Sequence, residues 1–347
     1  MLTLGLLQLG CTPPGPPLAA GVAVEEAVLG QNTGILLVED GSPVAARLQP
    51  VVAGREARFR IVLEAEAARS VELVLTVGAD EIREVVALEE GNTVHELVVP
   101  GEWLVEGVDV AFAVYELDGA PRAEASPGAK VPANGDTLLL GVRDMPGLRV
   151  TLVPLVDDGP EPVLTQAYAD AMRDLLYAMF PVSEVTVDIR DASVPFEVLG
   201  IGADGLADAV DQVSAAHVAD GAGPDHLYLG QYYELSRNGG GLASGTDMDP
   251  ARRAAVGPAI ETNPERSADI AVHELGHLLG AFHTPCIAEA PHPAFPDPEG
   301  LVGVRVWDGL EGRWRNKRTP DFMGYCPDSW TSPFSGGQLA EGLLWWD

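Results

Sequence analysis

Between residues 57 and 115 apolar side chains recur at every second position. Ala57, Phe59, Ile61 and Leu63 alternate with polar neighbours, and so do Val71, Leu73, Leu75 and Val77. Further runs cover 82–88, 94–99 and 108–115, separated by Gly, Asn, Asp and Pro. A period of two puts one face of a strand in a core and the other in water, so these runs predict half-buried antiparallel strands. Strands at this spacing predict a β-sandwich of immunoglobulin-like type over 31–145. No cluster of catalytic residue types falls there.

From Leu148 the period changes. Residues 148–156 form an apolar run that predicts a buried strand. Thr165 can cap a helix whose inner face is Tyr168, Met172, Leu175, Leu176 and Met179. Residues 184–190 predict a second strand, and Asp204 can cap a second helix through Leu206, Val210 and Val213, ending near Gly221. Strands are predicted over 226–233 and 254–260. Asn263 and Pro264 suit the N-cap and first position of a third helix, with Glu265 at its positive end. After residue 283 the stretch 287–320 holds many Pro and Gly and little periodicity, which predicts an ordered loop forming part of a cleft wall. Residues 338–346 predict a closing helix.

The third helix carries the chemistry. His273-Glu274-Leu275-Gly276-His277-Leu278-Leu279-Gly280-Ala281-Phe282-His283 reads H-E-x-x-H-x-x-G-x-x-H. His273 and His277 are one turn apart, so both imidazoles leave the same helix face. Glu274 is rotated by about 100° from His273, which sets its carboxylate beside a metal rather than on it. Gly280 ends the helix where a positive φ is needed, and the chain returns with His283 as third ligand. Three nitrogens leave one position for water, the pattern of a catalytic zinc. The bland alternative is an amphipathic helix with solvated histidines; with three of seven histidines in register with the Glu and the Gly, it is the weaker reading.

The motif, followed by Asp321-Phe322-Met323-Gly324-Tyr325-Cys326, resembles the metzincin zinc proteases and their Met-turn. That resemblance implies a metzincin catalytic domain over 146–347, with Met323 as an apolar floor under the metal. It also implies Zn2+ on His273, His277 and His283, with Glu274 as general base in peptide hydrolysis. Tyr325 matches a tyrosine that some metzincins place near the metal, with a packed aromatic as the alternative. The fold expected is thus α+β multidomain: an antiparallel β-sandwich followed by an α/β zinc-protease domain. The glycine-rich segment 239–245 has two readings, a surface loop or the sheet edge with which metzincins pair an extended substrate.

A narrower likeness is to bacterial secreted metalloproteases of the mucin-cleaving type, often lipoproteins. It rests on Val51-Val52-Ala53-Gly54-Arg55, on the stretch from Arg173 to Val182, on Thr284-Pro285-Cys286 and on Asp321–Cys326 with Trp330 after it. It implies a protein or glycoprotein substrate without naming one. The net charge of −31, from 52 acidic and 21 basic residues, would repel sialylated mucin, nucleic acid and anionic membrane alike. Two other functions stay open: an adhesin that keeps the fold without catalysis, and a zinc hydrolase of another amide.

The three cysteines bear on compartment. Cys286 follows His283 by three residues, and Cys326 follows Met323 by three. Both segments are expected at the same metal, so a disulfide between them is predicted, with two reduced thiols as the alternative. Residues 1–11 read as an export signal, too short an apolar run to span a bilayer. Gly10-Cys11 resembles the end of a lipobox, which implies a lipid anchor on Cys11 and a secreted or outer-surface bacterial lipoprotein. Residues 12–30 are rich in Pro, Gly and Ala and are expected to be a tether.

Overall fold

The computed structural model describes residues 17–117, 125–156, 159–196, 203–234, 240–245, 253–260, 262–288 and 290–345. Cys11, with the export signal and the lipid anchor expected around it, lies outside the described residues. The chain is α+β, mostly sheet with four α-helices among those residues.

The first half is built from seven long strands: β1 (Val22–Gly30), β2 (Gly34–Glu39), β3 (Ala57–Ala65), β4 (Arg69–Val77), β5 (Asp80–Leu88), β6 (Gly91–Val99) and β7 (Asp109–Glu116). They make two antiparallel sheets. One runs Ser42–Pro43, β2, β1, β3, β6, and the other runs Lys130–Val131, β7, β4, β5 with Leu138–Leu139 also on β7. The alternation read from the sequence sends Phe59, Ile61 and Leu63 from one sheet, and Leu73, Leu75 and Phe112 from the other, into one core. Phe59 and Phe112 meet there with ring centroids 6.2 Å apart.

The tether expected over 12–30 stops earlier than its composition implies. Its second half is β1, which lies between β2 and β3 with Val22, Val24, Ala27 and Leu29 buried. The pairing with β3 shifts register between Val24 and Glu26. Such a bulge adds one residue to the strand, so the period-two pattern breaks in mid-strand and hides it from the sequence.

The second half opens with β8 (Leu148–Val156), α1 (Gln166–Met179), β9 (Val185–Ile189), α2 (Ala203–Ala219), β10 (His226–Tyr233), β11 (Leu242–Ala243), β12 (Ala254–Ala259) and α3 (Pro264–Leu278). A short hairpin, β13 (Val306–Asp308) with β14 (Arg313–Arg315), and α4 (Pro333–Leu344) complete it. The sheet order is β9, β8, β10, β12, β11, parallel except for β11, which pairs antiparallel to β12 at the edge. Helices cover both faces. Leu148, Val150 and Leu152 point to Met172, Leu176 and Leu275 of α1 and α3, while Val153 and Leu155 point to Val210 and Val213 of α2. A parallel sheet buried on both faces needs such continuous apolar strands.

Two boundaries differ from the sequence reading. α2 begins at Ala203, so Asp204 lies inside the helix rather than capping it. The stretch 287–320 divides: Ala290, Pro291, His292 and Pro293 line a cleft, whereas the β13–β14 hairpin packs on the first half, with Trp307 against Gly30 and Arg58. A Cβ on Gly30 would fall 2.5 Å from Trp307 and 2.6 Å from Trp314, so only a bare backbone lets that hairpin dock.

The stretches that carry the narrower likeness meet at the seam between the halves. Arg55 is 7% exposed and stacks at 4.0 Å over the Tyr177 ring. Its guanidinium donates to the carbonyls of Phe180 at 3.0 Å and Tyr177 at 2.5 Å. The Trp330 indole donates to the Asn32 carbonyl at 3.0 Å, and the Thr331 hydroxyl to that of Met179 at 2.8 Å.

Candidate metal centre

Asn263 caps α3 by accepting from the Arg266 amide at 3.2 Å, and Pro264 occupies the first helical position. The helix ends at Leu278. Gly280 takes φ +85°, its amide donates to the His277 carbonyl at 2.9 Å, and the Ala281 amide donates to that of Gly276 at 3.0 Å. This left-handed turn closes the helix and sends the chain back towards its own last turn.

Three histidines converge there. His273, His277 and His283 each offer a ring nitrogen, and these atoms lie within 4.8 Å of one another. His277 Nε2 is 3.1 Å from His283 Nε2. Two nitrogens at tetrahedral zinc distances would be roughly 3.3 Å apart, so the spacing matches a shared ion. The tautomers agree. His273 Nδ1 lies 3.1 Å from the Phe322 carbonyl, and His277 Nδ1 lies 2.8 Å from that of Ala281. A carbonyl only accepts, so each Nδ1 carries the proton and each Nε2 presents a lone pair. Burial lowers the pKa of His273 to about 4 and of His277 to about 3, so both rings are neutral at pH 7. Neutral imidazoles with their second nitrogens already held can bind a metal ion.

Glu274 sits beside this cluster, 7% exposed. Burial pushes its carboxyl up to about 8, and a hydrogen bond from the Ala243 amide works in the opposite direction. A cation on the histidines would add to the downward pull.

Met323 is fully buried beneath α3. A Cβ on Gly276 would come 2.8 Å from its sulfur and 3.0 Å from the Phe322 ring, so the methionine turn packs directly on the helix between the two histidine turns. The Tyr325 hydroxyl lies 3.0 Å from His283 Nε2, and its ring centroid is 5.4 Å from that of His273. Cys286 and Cys326 form a disulfide with Cα atoms 5.9 Å apart, fastening the segment after His283 to the one after Met323. That bond belongs to an oxidising environment. No described helix is long and apolar enough to cross a membrane.

Three positions that contact this cluster's supports were not singled out from the sequence. Asp321 is wholly buried and accepts from the Met323 amide at 2.8 Å, the Ser332 amide at 3.0 Å and the Thr284 hydroxyl at 3.2 Å. One carboxylate thus ties the methionine turn, the residue after the third histidine and the cap of α4. An Asp among apolar neighbours was the signal available for it. Gly276 was visible as a glycine inside a helix, which costs about 1 kcal/mol against alanine unless something packs there. Gly241 lies against Glu274, and nothing in its loop sequence points to that.

The cleft in front of the cluster, about 520 Å³, is bounded by Gly241, Leu242 and Ala243 of the edge strand and by Pro291, His292 and Pro293 opposite. Neither a protein-family model nor a curated protein sequence matches this chain. Among solved structures, it aligns with one described as the structure of a chaperone-substrate complex, at TM-score 0.32 and 10% identity over 83% of this chain and 43% of that one. It also aligns with a Paenibacillus sp. cycloisomaltooligosaccharide glucanotransferase complexed with cycloisomaltoheptaose, at TM-score 0.22 and 11% identity over 61% and 28%. The chain spans less than half the length of either.

Proposed function

We propose that this chain is a secreted zinc endopeptidase of metzincin type, with a β-sandwich preceding the catalytic domain. The observation that carries the reading is the pair of histidine side chains whose Nδ1 atoms are held by backbone carbonyls while their Nε2 atoms converge with that of His283, beside a buried Glu274. Neutral imidazoles suit zinc, and three protein ligands leave a fourth position open. A zinc ion bound there supplies a Lewis acid for a carbonyl oxygen and brings the pKa of a water towards neutrality.

The chain's own residues do the rest. Glu274 takes a proton from water and hands it to the leaving amine, a role suited to a carboxylate whose burial moves its pKa towards neutral pH. Tyr325, exposed to the cleft, donates a hydrogen bond to the carbonyl oxygen as negative charge grows there. The edge strand β11 pairs with β12 alone, and its other side faces the cleft where an extended peptide would lie, which suits a protein or glycoprotein substrate. The disulfide supports an extracellular site of action.

Casein digestion tests the class. The purified protein should hold about one zinc per chain and digest casein, and a chelator should abolish digestion. Glu274→Ala should keep the zinc and lose the digestion. If Glu274→Ala digests casein as fast as the parent, the role given to Glu274 is wrong. If the zinc-loaded parent digests nothing, an adhesin or a hydrolase of another amide replaces the protease.

A further inference from the structure

We propose that Gly241 is a positioning residue for Glu274: the edge strand presses its bare backbone against the carboxylate and sets its direction. A Cβ at 241 would lie 2.4 Å from Glu274 Cγ, 2.6 Å from Oε1 and 2.8 Å from Cδ. No real Cβ tolerates such distances, so any side chain at 241 displaces Glu274 or lifts the strand. Gly241 is not among the glycines with positive φ. A left-handed backbone is therefore not what calls for glycine here, whereas the Glu274 side chain stands where a Cβ would go.

Three ties keep the strand in place. β11 pairs with β12 through Leu242 opposite Val256 and Ala243 opposite Ala255. The Tyr232 hydroxyl, on β10, donates to the Gly240 carbonyl at 2.6 Å. The Ala243 amide donates to Glu274 itself. The Glu274 side chain thus lies between its own helix and the strand, and it lines the cleft. A free glutamate side chain has three rotors, and fixing them costs about 1.5–2 kcal/mol of entropy. Here folding has already met that cost before substrate arrives, as a base needs if it is to react in one geometry. The same strand bounds the cleft, so a peptide lying along it is placed in register with the base.

This inference rests on Glu274 being the general base. Its test is Gly241→Ala, with Tyr232→Phe as a milder variant that loosens the strand without crowding the carboxylate. Gly241→Ala should lower kcat by about 10- to 100-fold, the scale of a misplaced catalytic group, with KM within about twofold. Zinc affinity and melting temperature should match the parent, because no ligand is touched. Affinity for a peptide hydroxamate, which shares its proton with the glutamate, should fall about tenfold or more. Tyr232→Phe should move both quantities in the same direction by less. In a Glu274→Asp background, where the carboxylate is one methylene shorter, Gly241→Ala should cost less hydroxamate affinity than it does alone. Parental kcat and hydroxamate affinity in Gly241→Ala would overturn the inference. So would a loss of zinc affinity and melting temperature in step with activity, since that marks general packing. A parent that binds hydroxamate but cleaves no peptide removes the protease reading, and the affinity of Gly241→Ala then decides this one by itself.

Discussion

The Tyr325 hydroxyl lies 3.0 Å from His283 Nε2, the nitrogen that His283 turns towards His277. A phenol at that point stands beside the histidine cluster and lines the cleft in front of it. Tyr325→Phe keeps the ring and removes the donor. If the hydroxyl stabilises the developing oxyanion, kcat should fall by about 10²–10³, with KM and zinc content little changed. Steady-state kinetics on a fluorogenic peptide reads this directly, and parental kcat would return Tyr325 to the role of a packed aromatic.

Asp321 should control the metal centre without touching it. Its carboxylate receives two amides and a hydroxyl in a fully buried place. Asp321→Asn turns an NH2 towards donors that then lack an acceptor, which costs about 1–3 kcal/mol of stability. Because Thr284 follows His283, zinc affinity should weaken by about 10- to 100-fold, as for other groups that orient ligands. Denaturation midpoints and competition with a chromogenic chelator measure the two effects. Unchanged zinc affinity would show that Asp321 serves packing alone.

The seam between the halves should depend on Arg55. Its removal strands the carbonyls of Phe180 and Tyr177 and uncovers the Tyr177 ring. Arg55→Ala should cost about 2–4 kcal/mol, the range for breaking a buried hydrogen-bond network. Arg55→Lys should recover little, since a point charge cannot reproduce the flat fork and the stack. Urea unfolding followed by tryptophan fluorescence gives the number. A loss below about 0.5 kcal/mol would mean that the apolar contacts hold the seam unaided.

The disulfide closes a chain separation of 40 residues. Loop-closure entropy for that length corresponds to about 4 kcal/mol of stabilisation. A Cys286→Ala, Cys326→Ala double variant should therefore melt lower and bind zinc more weakly, because the bond ties the segment after His283 to the methionine turn. Calorimetry with and without zinc separates the two losses. Peptide mapping without reduction that recovers both thiols free would remove the bridge and the compartment inferred from it.

Local rules determined a large part of this protein from sequence alone. Alternation placed β3, β4 and β6, and the Asn263–Pro264 start with the Gly280 stop framed α3, because caps, turns and periodicity are written in neighbouring residues. The i, i+4 spacing put His273 and His277 on one face for the same reason. Tertiary structure decided whatever depends on a partner distant in sequence. The β-bulge hid β1, which became a sheet interior only when β2 and β3 flanked it. The apolar neighbours of Asp321 hint at burial, but its partners become visible only when Thr284 and Ser332 arrive from either side. Gly241 falls in a segment that reads as surface loop or as sheet edge, and its close approach to Glu274 arises only where a parallel sheet ends in one reversed strand beside α3. Helix and strand signals are local energies of backbone and solvent, whereas close approach between two elements is a property of their packing, which no single stretch of sequence contains.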